Sequence, residues 1–76
     1  MNKIIEKSWD IIKKIERENE ILYINKEGDL QTTAESNYEW LSEGEQKEIN
    51  NGLIFITEIN EKLAKKIIDK YKNYYS

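Results

Sequence analysis

The 76-residue chain has no cysteine, no histidine and no proline, and only three glycines. Without thiols or imidazoles it cannot form a disulfide framework, a zinc finger, a haem or iron–sulfur ligand set, or a Ser–His–Asp or Cys–His catalytic unit. Gly28, Gly44 and Gly52 are too widely spaced for a glycine-rich phosphate loop. No apolar run approaches the roughly 18 residues of a membrane span. The first residues lack the apolar segment and small-residue cleavage site of a secretory signal. The expectation is a cytoplasmic protein with no cofactor, no metal and no membrane contact.

What is present is charge and isoleucine. There are 15 acidic and 12 basic residues, for a net charge of −3. Only 38% of the residues are apolar, but 13 of them are isoleucine, so the core is expected to be stiff and β-branched. A chain this short forms one domain, residues 1–76, and buries only about 60% of its unfolded surface, so packing or assembly must stabilise it. Isoleucine, asparagine, lysine and tyrosine make up 37 of the residues. All four have A/T-rich codons, which points to an A/T-rich bacterium or its phage as the source.

Ile4, Ile5, Trp9, Ile11, Ile12 and Ile15 fall on an arc of roughly 160° at about 100° per residue, which predicts a core-facing amphipathic helix over residues 3–18. Ile21–Ile24 is rich in β-branched and aromatic residues and predicts a strand. The turn-prone run Asn25–Asp29 follows, with Gly28 placed to take a positive φ, and Leu30–Thr33 returns as an edge strand of a hairpin.

Ser36 with Glu39, and Ser42 with Glu45, both match the capping-box pattern that starts helices. One continuous helix over 37–50 would put Glu45 in the stripe of Tyr38, Leu41 and Ile49, so a break near Ser42–Gly44 is expected, with Gly52 closing the segment in the left-handed conformation. Leu53–Ile56, apolar on both faces, predicts a buried central strand, and Thr57 is the expected N-cap of a last helix reaching about Tyr74. The expected fold class is α+β: a small three-stranded sheet with two long amphipathic helices on one face, in the order α-β-β-(short α)-β-α. The second sheet face then needs a cover, either the Tyr38–Ile49 segment or a second copy of the chain.

Charge is unevenly placed along the chain: residues 1–15 sum to +2, residues 16–61 to −9 and residues 62–76 to +4. The candidate partner-binding residues are Glu35, Tyr38, Glu39, Trp40, Glu43, Glu45 and Glu48, an acidic stretch with embedded aromatics suited to a basic surface on another protein. A specific form is nucleic-acid mimicry, in which carboxylates take the places of phosphates. In size and charge the chain matches compact, cofactor-free phage and mobile-element proteins that act by occupying a host protein's surface, including that of a defence nuclease. The leading expectation is therefore a non-catalytic protein-binding module, an inhibitor in its sharpest form.

Two other readings stand beside it. Lys62, Lys65, Lys66, Lys70 and Lys72, with Tyr71, Tyr74 and Tyr75, could contact phosphates and stack on bases, making a nucleic-acid-associated regulator. A homodimeric structural subunit could instead close the second sheet face by self-association.

Overall fold

The computed structural model describes the backbone of residues 2–75 and the side chains of residues 2–73. The elements are α1 (Lys3–Arg17), β1 (Glu20–Ile24), β2 (Leu30–Ala34), a 3₁₀ helix (Glu35–Trp40), α2 (Glu43–Asn51), a 3₁₀ turn (Ile56–Glu58), α3 (Glu61–Tyr71) and a closing 3₁₀ segment (Lys72–Tyr75). The fold is α+β, with a two-stranded antiparallel sheet packed with α1 and α3.

α1 begins at Asn2, whose Oδ1 accepts from the N–H groups of Ile4 and Ile5 at 2.9 and 3.3 Å. It ends just before Asn19, which adopts φ 59°, a left-handed stop that asparagine tolerates. The Asn19 carbonyl then accepts from Glu35 N–H at 2.8 Å, tying the helix end to the end of β2. Ile11, Ile12 and Ile15 are buried, while Ile4, Ile5 and Trp9 are half-buried around them. Trp9 therefore lies at the border of the core rather than inside it, and its Nε1 is buried without a hydrogen-bond partner among the described residues. Ser8 is fully buried as well, its hydroxyl satisfied by donation to Ile5 O at 2.6 Å.

The hairpin forms as its sequence predicts. Asn25 Oδ1 accepts from the N–H groups of Glu27 and Asp29, each at 2.9 Å, and Gly28 takes φ 86°. The register pairs Ile24 with Leu30 and Leu22 with Thr32 on the core face. Ile21, Tyr23, Gln31 and Thr33 share the opposite face and are half-buried.

The third strand does not form. Leu53 makes a single antiparallel bridge to Tyr23, and the chain then turns into the 3₁₀ helix Ile56–Glu58. Ile54 and Ile56 pack against the core, whereas Leu53 is 37% and Phe55 55% exposed. The segment is thus buried on one side only, and it leaves β1 early so that Ile59 can reach the core just ahead of α3. Asn60, not Thr57, caps α3, accepting from Leu63 N–H at 2.8 Å. Ile59 before that cap and Ala64 in the following turn are both buried, the arrangement of a hydrophobic staple. The α-helix stops at Tyr71, and the side chains of Tyr74 and Tyr75 lie outside the described residues.

α1 and α3 run side by side in the same direction. At one end Asn2 Nδ2 donates to Glu61 Oε2 at 3.3 Å, and at the other Lys14 and Arg17 line a surface depression with Asn73. No helix among the described residues is long and apolar enough to cross a membrane.

Candidate partner-binding surface

The break near Ser42 is what gives the acidic segment its shape. Ser42 Oγ accepts from Glu45 N–H at 3.2 Å and donates to Glu45 Oε1 at 2.9 Å, a capping box that starts α2. At Ser36 the matching pattern does not cap the 3₁₀ helix, which starts at Glu35 after the N-cap Ala34 and has no side-chain cap. The two helices are clasped together by Tyr38. Its hydroxyl donates to Asn50 Oδ1 at 3.0 Å, and its carbonyl accepts from Gln46 Nε2 at 2.8 Å.

α2 is held on the hairpin by two further contacts. Glu48 Oε2 accepts from Lys26 N–H at 2.9 Å, and Ile24 N–H donates to Gly52 O at 2.8 Å. Ile49, 2% exposed, is buried beneath α2 apart from the main cluster. Gly52 ends α2 with φ −108°, so the expected left-handed closure is absent. Its role is spatial: a Cβ there would lie 1.9 Å from Ile24 O.

The seven sequence-derived residues therefore separate into two groups. Tyr38 and Glu48 are half-buried and hold the surface together. Glu35, Glu39, Trp40, Glu43 and Glu45 are exposed. Among these, Glu35, Glu39 and Glu43 make no ion pair with a described residue. Glu43 and Glu45 also sit in the first turn of α2, where negative charge complements the helix dipole. Trp40 is 86% exposed and covers nothing, so it is not the lid of the second sheet face. Glu35 stands apart from the α2 acids and shares a cleft with Glu16 and Glu20, two residues that sequence reasoning missed because the cleft joins three distant segments.

The lysines of α3 are partly committed to the fold. Lys65 pairs with Glu61 at 3.5 Å, and Lys70 Nζ donates to Leu30 O while lying 5.9 Å from the Tyr71 ring centroid. Tyr71 is a core residue, which removes it from base stacking. Lys62, Lys66 and Lys72 are exposed. No group of acidic side chains among the described residues is arranged to hold a metal ion. No protein-family model matches the chain, and no curated protein and no solved structure shows significant similarity to it.

Proposed function

We propose that the chain is a small non-catalytic protein-binding module whose acidic surface docks, through Trp40, on a basic surface of a partner protein. The observation that carries this reading is the 86% exposure of Trp40, with the exposed Glu39 and Glu43 close to it along the chain. An indole contributes to folding only when it is removed from water, so a tryptophan left this open has no folding role. Tryptophan is enriched among the anchors of interfaces, and neighbouring carboxylates select a cationic partner and steer its approach.

Nucleic-acid-binding surfaces of other proteins are the basic surfaces such a pattern fits best. An inhibitor from a phage or mobile element that covers that surface of a host defence nuclease is the specific form of the proposal. The test is capture from source-cell lysate on the immobilised chain, with and without nuclease. A single protein retained after nuclease treatment is the expected result. Trp40→Ala should then weaken its binding about 30-fold, the effect of a hot spot near 2 kcal/mol, with thermal stability unchanged. Capture that depends on nucleic acid, or that ignores Trp40→Ala and the paired change Glu39→Lys/Glu43→Lys, overturns the proposal.

A further inference from the structure

Between the end of α1, the first half of β1 and the Leu53–Ile54 segment lies a cleft of about 240 Å³ with a mixed apolar and acidic lining. Ile21, Leu53 and Ile54 line it together with Glu16, Glu20 and Glu35, and among the described residues no basic side chain contributes to the lining. The cleft exists because the Leu53 segment bridges β1 only at Tyr23 before turning away, leaving the remainder of that edge without a third strand.

Size and charge select the occupant. The volume is below the ~300 Å³ at which small-molecule pockets begin, yet ample for one long side chain. The three carboxylates are not grouped to hold a metal ion. A lining that mixes isoleucine and leucine with carboxylates suits a side chain that has a methylene stem and a cationic head. Guanidinium fits better than ammonium, because it is less strongly hydrated and its five planar donors can meet carboxylates on different sides.

We propose that this cleft is an arginine-binding subsite, taking one arginine side chain of the partner protein. The inference rests on the reading that the partner is basic, and it uses residues other than Trp40 and α2. The test is a methyl-NMR titration of the isoleucine-labelled full chain with N-acetyl-arginine methylamide, compared with the lysine and norleucine analogues. The Ile54 methyl signal should shift saturably with the arginine probe and much less with the other two. Glu16→Gln/Glu35→Gln, both exposed positions, should weaken that binding about tenfold, the effect of losing charge-assisted hydrogen bonds. Glu39→Gln/Glu43→Gln makes the same change in net charge elsewhere and should leave it unaltered.

Equal weakening by both double variants, equal saturation by the three probes, or a stationary Ile54 signal overturns the subsite. Failure of the arginine probe while the captured protein still binds through Trp40 removes the cleft alone. Loss of both removes the reading beneath it.

Discussion

Gly28 and Gly52 are both required, for unrelated reasons. Gly28 has open space where a Cβ would stand, but its φ of 86° disfavours any L side chain. Gly52 has an unstrained φ of −108° and no room, because the Ile24 carbonyl occupies the Cβ position. An alanine at Gly52 therefore forces α2 away from β1, stretching the Ile24 N–H to Gly52 O bond and loosening Ile49. Gly52→Ala should destabilise the protein by about 2 kcal/mol or more, the range of backbone-shifting overpacking, measured by urea unfolding. A loss under about 0.5 kcal/mol, the level of ordinary surface changes, would show that α2 is free to move. The sequence marks Gly52 as a helix stop but cannot show its actual constraint, which comes from a strand much earlier in the chain. Glu48 is similar: by composition it is one more acid, and by position it is the acceptor that ties α2 to the hairpin loop.

Elements governed by local chemistry were legible, and those governed by distant packing were not. The hairpin follows from Asn25 and Gly28, α1 from its isoleucine periodicity, and the start of α2 from Ser42 and Glu45. Leu53–Ile56 has strand composition but no strand, because Ile54 and Ile56 meet the helix core while the backbone needs to reach Ile59 and the Asn60 cap. The two Ser-x-x-Glu patterns allow a direct comparison. Ser42→Ala should cost about 1 kcal/mol, the usual loss for an N-cap. Ser36→Ala, at an exposed position inside a 3₁₀ helix whose N-cap is Ala34, should fall within about 0.5 kcal/mol of wild type. Equal losses in urea unfolding would mean that the Ser42 box does not start α2.

At the scale of the whole molecule, part of the positive charge gathers where the two long helices end. α1 and α3 run in the same direction, so the negative ends of their dipoles lie together, and Lys14, Arg17 and Lys70 occupy those last turns. These three cations thus have a structural reason, and Lys70 is further engaged by the Leu30 carbonyl. The carboxylates of Glu35 and Glu39 have no such reason, being exposed and outside any α-helical first turn or ion pair with a described residue. Under the proposed function, that difference is the reason to place a basic partner on the Glu39 and Trp40 side rather than on α3.

It also predicts how binding responds to salt. Long-range attraction between the acidic side and a basic partner accelerates encounter and is screened beyond a Debye length of about 10 Å at 0.1 M salt. A Trp40 contact, once made, is short-range and insensitive to screening. Raising salt from about 0.05 to 0.5 M should therefore slow association with the captured protein at least about tenfold, while its dissociation rate changes little. Glu39→Lys/Glu43→Lys should flatten the salt dependence of association, and Trp40→Ala should speed dissociation without altering that dependence. Dissociation that accelerates with salt as strongly as association slows would place the binding energy in the ion contacts and remove Trp40 as the anchor.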